Sequence, residues 1–510
     1  MNLAILHYHL NRGGVTRVIE NQLTAIDAVL DGSEPWQAAL LYGGRREGFR
    51  RELPGQLRST RLSLHEAPLL DYDDAHHQGA GENDEALHGQ LTAALDRLGF
   101  APAETLLHVH NHSLGKNRHL PAAVVRLAVD GYAVVLQIHD FAEDFRAGNY
   151  RQLGETEMLY PQATNVHYAA INGRDYEILA EAGVPAGQLH LLPNPVPPAD
   201  RRPSRRDARQ RLAGRFGIEP EDRFALYPVR CIRRKNVGEV LLCGALAPPG
   251  MVFGLTLPPL NPAEVPVHEG WKRLAAELEL PCRFELGAPG GLSFAENLAA
   301  ADLILTTSLA EGFGMVFLES WLAGLPLVGR DLPEITSDFT AAGLRFDWLS
   351  PQLRVPVAWV GTEAFRDRVT GAYRHTLDAY GRPQPPDPDR LMSGRVADGL
   401  VDFGDLDEPM QREVIRTVCQ GKKQRRAVLD HNSWLEEALT IGGEHARAAI
   451  EHNARTIDRH YGLEAIGRRL LELYARAAAS PRGEKPQPLA SAGHILDRFL
   501  DPGRFRLIRS

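Results

Sequence analysis

Two glutamates with seven residues between them, Glu311 and Glu319, bracket a glycine-broken turn, Glu311-Gly312-Phe313-Gly314-Met315. The turn joins an apolar run ending at Thr306 to helical sequence from Val316 to Ala323. Carboxylates accept hydrogen bonds from sugar hydroxyls, and this spacing lets both point toward one ligand and grip two hydroxylated rings. Gly312 and Gly314 allow close approach to the main chain, and amides at a helix start suit a phosphate. Arg230 and Lys235 follow another apolar run, five residues apart. A planar fork and a point charge are groups that hold phosphate oxygens. The chain has six lysines against 51 arginines, so a lysine here is less of a coincidence than an arginine would be. A third cluster is rich in histidine: His108-Val109-His110-Asn111-His112, then Gln137-Ile138-His139-Asp140. At period two, His108, His110 and His112 face one side of a strand and could ligate zinc, as in a metal-dependent hydrolase. That chemistry leaves Arg230, Lys235, Glu311 and Glu319 without a role. Finally, Arg12-Gly13-Gly14-Val15 follows the first apolar run, where a glycine pair lines a ligand or simply starts a helix.

The elements that must carry these residues alternate. Strands are predicted at Leu3–Leu6, Ala38–Tyr42, Thr105–Val109, Val134–Ile138 and Val166–Ile171, with helical patterns between several of them. A second set is predicted at Phe224–Val229, Met251–Thr256, Arg283–Leu286, Leu303–Thr306 and Leu325–Val328. Apolar strands alternating with helices indicate βαβ units and parallel sheets buried on both faces. Between the sets, a Pro-rich stretch from Pro193 and a basic run, Arg201-Arg202-Pro203-Ser204-Arg205-Arg206, mark a solvated linker. Residues 71–86 read as an acidic surface loop. Glu444–Ala478 has an amphipathic helical pattern.

Composition excludes several classes. Hydrophobic residues are 44% and charged residues 24%, which is ordinary for a folded chain. A net charge of −8 argues against a general nucleic-acid binder. Four separated cysteines (Cys231, Cys243, Cys282, Cys419) form no C-x-x-C pair, so no disulfide framework or zinc ribbon is expected. No signal peptide and no transmembrane run is expected, which suits a cytoplasmic protein.

The stretch EGFGMVFLESWLAGLPLVG resembles the E-x7-E signature of glycosyltransferase family 4, retaining enzymes of the GT-B fold. The resemblance implies two Rossmann-like doubly wound domains facing a central cleft. These would span 1–198 (acceptor side) and 199–440 (donor side). A C-terminal helix, 441–478, would cross back to the first domain, and 479–510 is a tail with no assigned role. The resemblance implies that Glu311 contacts the transferred sugar and Glu319 the nucleotide ribose. Gly14, Gly312, Phe313, Gly314, Met315 and Val316 would join Glu319 in donor binding. Arg230 and Lys235 would hold the diphosphate, although the family usually has Gly where Asn236 follows the lysine. His139 matches a histidine that hydrogen-bonds the transferred sugar, so the catalytic set is His139, Arg230, Lys235 and Glu311. Acceptor-side candidates are Arg12, Gly13, His110, Asn111 and Lys116. The stretch Ser113-Leu114-Gly115-Lys116 also resembles sucrose-phosphate synthases. The implied reaction moves a hexose from a nucleoside-diphosphate sugar, with UDP-glucose and GDP-mannose favoured. The acceptor is a small molecule or glycan, soluble for want of a membrane-binding helix, and neither metal nor cofactor is needed. A non-catalytic nucleotide-sugar binder of the same fold is the alternative.

Overall fold

The computed structural model describes the chain except residues 1, 33–34, 74–83, 155–157, 200–201, 384, 386 and 510. Most of the acidic loop expected at 71–86, and Arg201 of the basic run, therefore lie outside the described residues. The chain divides into two compact units. Unit 1 is Met1–Pro197 with Asp458–Asp501, and unit 2 is Pro198–Ile457 with Pro502–Ser510. The polypeptide thus passes from one unit to the other three times.

Unit 1 contains β1 (Asn2–His7), β2 (Trp36–Tyr42), β3 (Thr60–Glu66), β4 (Thr105–His110) and β5 (Ala133–Ile138). After these come β6 (Pro161–Gln162), β7 (Val166–Ala170) and β8 (Leu189–Leu191). Seven of them form a parallel sheet in the order β3-β2-β1-β4-β5-β7-β8. β4 and β5 are buried along their whole length, because helices cover both faces of the sheet. On one face the helix Gly14–Val29 lies against the helix Leu463–Ala479. Ile466, Leu470, Leu473 and Tyr474 share a core there with Leu3, Ile5, Ile19 and Leu23. The approach is close: a Cβ on Gly467 would stand 2.2 Å from the carbonyl oxygen of Ala25.

Unit 2 contains β9 (Arg223–Arg230), β10 (Met251–Leu257), β11 (Cys282–Arg283), β12 (Leu303–Thr306), β13 (Leu327–Arg330) and β14 (Leu349–Ser350). They form a parallel sheet in the order β11-β10-β9-β12-β13-β14. The strand expected at 283–286 is cut to two residues, and just beyond it Glu285 takes a left-handed φ of 63°. The strand expected at 325–328 begins two residues later, after a turn at Gly324 (φ 62°) and Pro326.

The described part of the stretch 380–432 packs against the helix Val237–Leu246. It carries the helices Glu408–Cys419 and Lys422–Leu429. β15 (Arg354–Pro356), β16 (Val396–Ala397) and β17 (Leu400–Asp402) form a small antiparallel sheet there. Arg330 on β13 anchors it. Its buried guanidinium donates to Glu239 at 3.1 Å and to Asp402 at 2.8 and 2.9 Å. Removing one member of such a buried set would strand the charge of another.

Three further expectations need correction. The basic run is not simply solvated: Arg205 donates to the carbonyl of Ala301 at 2.6 Å and pairs with Asp302. The amphipathic region Glu444–Ala478 is two helices, Gly443–Tyr461 and Leu463–Ala479. They break at Gly462, which is extended (ψ 163°), and a Cβ there would meet the Asp458 carbonyl oxygen at 2.4 Å. The tail is structural. β18 (Gln487–Pro488) pairs with β6, Ile495 and Phe499 enter the core of unit 1, and Phe505, Leu507 and Ile508 are buried in unit 2.

In each sheet the strand order reverses beside the first strand of the unit, between β1 and β4 and between β9 and β12. Doubly wound sheets receive ligands at the carboxyl ends of strands flanking such a point. The motif residues all follow β1, β4, β5, β9 or β12.

Candidate functional site

In unit 2, the chain leaves β9 at Arg230 and makes one 3-10 turn, Arg233–Lys235, before the helix Val237–Leu246. Asn236 joins turn to helix at φ 50°, ψ 55°. Asparagine enters this left-handed region at lower cost than most residues, so it does the work of the glycine usual in the resembling family. Its side chain donates to Glu239 at 2.7 Å and accepts from Gln411 at 2.9 Å.

The turn is tied to the end of β12. Thr307 Oγ1 donates to the Lys235 carbonyl at 2.9 Å, and the Leu309 amide donates to that of Arg234 at 2.8 Å. Tyr227 Oη donates to the Lys235 carbonyl at 3.1 Å and lies 2.8 Å from Ser308 Oγ. This stitching brings two cations to one carboxylate. Lys235 Nζ donates to Glu311 Oε1, and Arg234 donates to Glu311 Oε2 at 2.9 Å and to the Ala310 carbonyl at 2.8 Å.

The Glu311 and Lys235 side chains are 9% and 13% exposed, so water screens this group weakly. Burial alone would raise the Glu311 carboxyl. Lys235 and Arg234 outweigh it and hold the group down to about 2. Lys235 lies below its ordinary value. Burial lowers it, and Glu311, with Arg234 opposing, restores only part of the loss. Two cations over one carboxylate leave a surplus positive charge, which suits an anionic ligand.

Arg230 is not in this group; its guanidinium donates to the Pro258 carbonyl at 2.9 Å. Arg234 was missed by sequence reasoning. Its signal was the adjoining Arg233-Arg234-Lys235, which is hard to separate from an arginine-rich background.

Across the turn, Gly314 is required as glycine. Its φ is 81°, and a Cβ would meet Phe317 at 2.7 Å and Ile335 at 3.1 Å. Phe313 needs correction as a donor-binding side chain: it is 5% exposed, with its ring 5.5 Å from that of Phe339 in an aromatic core. Only its main chain can serve a ligand. Met315 and Val316 are half-buried, Gly312 is partly exposed, and Glu319 lies on the exposed side of the short helix Val316–Leu322.

In unit 1, histidines gather at the carboxyl ends of β1, β4 and β5. His110 Nδ1 and His139 Nε2 are 2.9 Å apart, with rings inclined by 15°. His108 stacks on His110 at 4.4 Å and meets Tyr474 Oη at 2.7 Å, and His7 stands edge-on to His110. Burial lowers all four: His139 to about 4, His7 and His108 to about 3, and His110 well below its ordinary value. All are therefore neutral at pH 7.

His112 does not join them. Asn111 has a φ of 57°, which ends the strand alternation. His112 turns to the Leu159 carbonyl at 2.9 Å, beside Tyr160. The three imidazoles do not converge, and the zinc-hydrolase alternative loses its ligand set. Among the described residues the one group with metal-ligating geometry is His268, Glu269 and Glu285, and Lys272 already bonds both of its carboxylates.

Asn111 braces the neighbouring strand end. Its Oδ1 accepts from the amides of His139 (2.7 Å) and Asp140 (3.1 Å), and so fixes the loop that presents His139.

The pair Gly13-Gly14 follows β1 and is exposed, as is Arg12. The fold requires neither glycine: a Cβ on Gly14 would meet nothing within 4 Å, and one on Gly13 only the Asn11 carbonyl oxygen at 3.9 Å. The open space is available to a ligand. Gly14→Leu should therefore melt within a few degrees of the parent yet lose roughly 10²-fold in turnover by displacing bound substrate. Parent-level turnover would show that the space serves no ligand. Lys116 follows β4 behind Gly115, whose φ of 70° and contact with the Asn149 carbonyl exclude a side chain.

No protein-family model matches the chain. Mannosylglucosyl-3-phosphoglycerate synthase of Petrotoga mobilis is 27% identical over 350 residues, a match that covers 66% of this chain and 66% of that protein. Sucrose-phosphate synthase of Thermosynechococcus elongatus has a like structure, with a TM-score of 0.54 and 14% identity, over 93% of this chain and 98% of that one. HepE of Anabaena in complex with UDP and glucose gives a TM-score of 0.51 and 14% identity, over 93% and 99%. WaaG, a glycosyltransferase involved in lipopolysaccharide biosynthesis, gives 0.50 and 15%, over 92% and 99%. At these identities the likeness is one of fold: the chain has the GT-B architecture, built from two Rossmann-like α/β units.

Proposed function

We propose that this protein is a retaining glycosyltransferase that moves a hexose from a nucleoside-diphosphate sugar to a hydroxyl of a soluble acceptor. UDP-glucose and GDP-mannose are the first donors to test. The observation that carries this reading is the Lys235–Glu311–Arg234 group, built on a buried carboxylate, at the switch point of the unit 2 sheet. It offers a diphosphate a surplus of positive charge and offers a sugar a carboxylate fixed in its ionised form. The synthase named among the relatives, and the UDP and glucose held by HepE, support the donor class.

In this reading the acceptor oxygen bonds to the anomeric carbon as the bond from that carbon to the diphosphate breaks. The acceptor proton passes to the departing phosphate oxygen. Lys235 and Arg234, with Arg230 released from Pro258 and the amides of Gly314 and Met315, stabilise the leaving charge without needing a resident metal. Glu311, held down to about 2, is too weak a base to take a proton at neutral pH. It instead accepts hydrogen bonds from the transferred sugar, while Glu319 takes the ribose. No carboxylate then serves as an in-line nucleophile, so retention arises by front-face attack and not by the two-carboxylate route of retaining hydrolases. His139, neutral at pH 7, hydrogen-bonds the same sugar.

Thermal-shift measurements across a panel of nucleotide sugars test the donor. A cognate donor at a hundredfold excess over its Kd adds about 2.7 kcal/mol to stability, and NMR of the product then reads the anomeric configuration. A panel in which no donor raises the melting temperature would sink the proposal, and an inverted product would sink retention.

A further inference from the structure

We propose that unit 1 selects an acceptor bearing an anionic oxygen group, a phosphate or a carboxylate, held between Arg45 and Lys116 over the ring of Tyr72. This rests on the reading above, in which unit 1 takes the acceptor.

Tyr72 is flanked by two cations. Arg45 Cζ and Lys116 Nζ each lie 5.3 Å from the centre of its ring, and His9 packs against it at 4.8 Å. A cation over a ring gains little by itself, and two like charges on one ring repel each other. An anion between them removes that repulsion and gains two charge-assisted hydrogen bonds.

The two cations are prepared differently. Arg45 is oriented from below by Asp71, a buried carboxylate that accepts from its Nε at 2.6 Å and from one terminal nitrogen. Asp71 is itself fixed by the Tyr72 amide at 2.7 Å. The guanidinium is thereby held in one pose while its outer part stays half-exposed. Among the described residues Lys116 has no carboxylate within ion-pair reach. The nearby acids are engaged or peripheral: Asp73 faces Arg118, Asp140 bonds Arg146 at 2.6 Å, and Glu47 is exposed. His9 accepts the Asn11 amide at Nδ1, so when neutral it carries its proton on Nε2, as a donor.

The place is right for a substrate. His9 follows β1, Arg45 follows β2 and Lys116 follows β4, so all three lie at the carboxyl ends of strands around the switch point between β1 and β4.

The test is a thermal-shift titration of the full chain with glucose, glucose 6-phosphate and glucuronate, repeated on Lys116→Met, Arg45→Met and Lys235→Ala. We expect one of the two anionic sugars to raise the melting temperature of the parent, with glucose at least tenfold weaker in half-saturation. Which anionic sugar acts identifies phosphate or carboxylate as the group read. Lys116→Met and Arg45→Met should each weaken the effect at least tenfold, whereas Lys235→Ala should keep it. An equal response to glucose, no response to either anion, or a response that survives Lys116→Met would overturn the proposal. Nucleotide-sugar shifts in the same variants separate the two readings. If they persist while anion selection fails, only the acceptor inference falls; if they are absent from the parent, the transferase reading falls.

Discussion

Lys235→Ala should lower kcat/KM for the donor by about 10²–10³-fold, the usual effect of deleting one stabiliser of charge that develops in a transition state. The side chain acts twice. It pairs with Glu311 in the free protein, and in the proposed mechanism it meets the leaving diphosphate. Its removal leaves Glu311 with Arg234 alone, so the carboxylate keeps a partner and the fold should survive. The stability loss should stay below the roughly 3–5 kcal/mol of a fully orphaned buried charge. Lys235→Arg keeps the charge but crowds Arg234, and should recover only part of the rate. Glu311→Gln makes the complementary change. It frees both cations, so donor binding should hold or tighten while kcat falls by a similar factor. Steady-state kinetics with a melting curve for each variant read this split. Near-parental kcat/KM in Lys235→Ala together with near-parental kcat in Glu311→Gln would remove the site from the mechanism.

The melting temperature should also drop steeply between pH 6.5 and pH 4. His7, His108, His112 and His139 have folded values of about 3 to 4 against 6.5 for the free side chain, and His110 is lowered as well. In this window the unfolded chain binds more protons than the native one, so stability rises with pH. The contribution is complete above 6.5 and is lost as the pH falls toward the folded values. Each lowering is worth about 3–5 kcal/mol at most, against a total stability of about 5–15 kcal/mol. Glu143 and Glu239 act in the opposite sense, because burial raises each to about 7, but His167 and His190 are lowered to about 4 as well. Glu311 enters only at lower pH, since a lowered carboxylate loses its contribution below about 4.5. Melting curves from pH 4 to 8 test this, and His112→Asn should shallow the slope because its imidazole lies apart from the stack. A flat melting temperature across the window would contradict the burial of these imidazoles as neutral groups.

How far the sequence could be read follows from where its signals lie. The central strands were visible because they are buried on both faces and read as unbroken apolar runs. β3 was not: TRLSLHE sits at a sheet edge, and only Leu62 and Leu64 of its seven residues are apolar. The turn after β12 was legible because glycines and glutamates lie within one short stretch. Its partner Arg234 was not, since only the hydrogen bonds from Thr307 and Leu309 select it over neighbouring arginines. The histidines were found but misdirected, because nothing local announces that Asn111 turns left-handed and sends His112 elsewhere. The ordered tail was unreadable for a different reason: its apolar residues are spaced for surfaces made hundreds of positions earlier.

That tail and the helix before it have a consequence for how the molecule comes into being. Synthesis delivers the chain from its amino end, so β1 to β8 appear while the sheet face bearing Leu3 and Ile5 is still bare. Ile466, Leu470 and Tyr474, which cover it, arrive only after residues 198–457 have been made, a delay of roughly tens of seconds at ordinary translation rates. Unit 2 then waits for Phe505, Leu507 and Ile508, translated only after that covering helix has been made. Neither half can finish folding while the other is being made. The nascent chain therefore presents an open apolar surface during its own translation, a natural substrate for a holding chaperone.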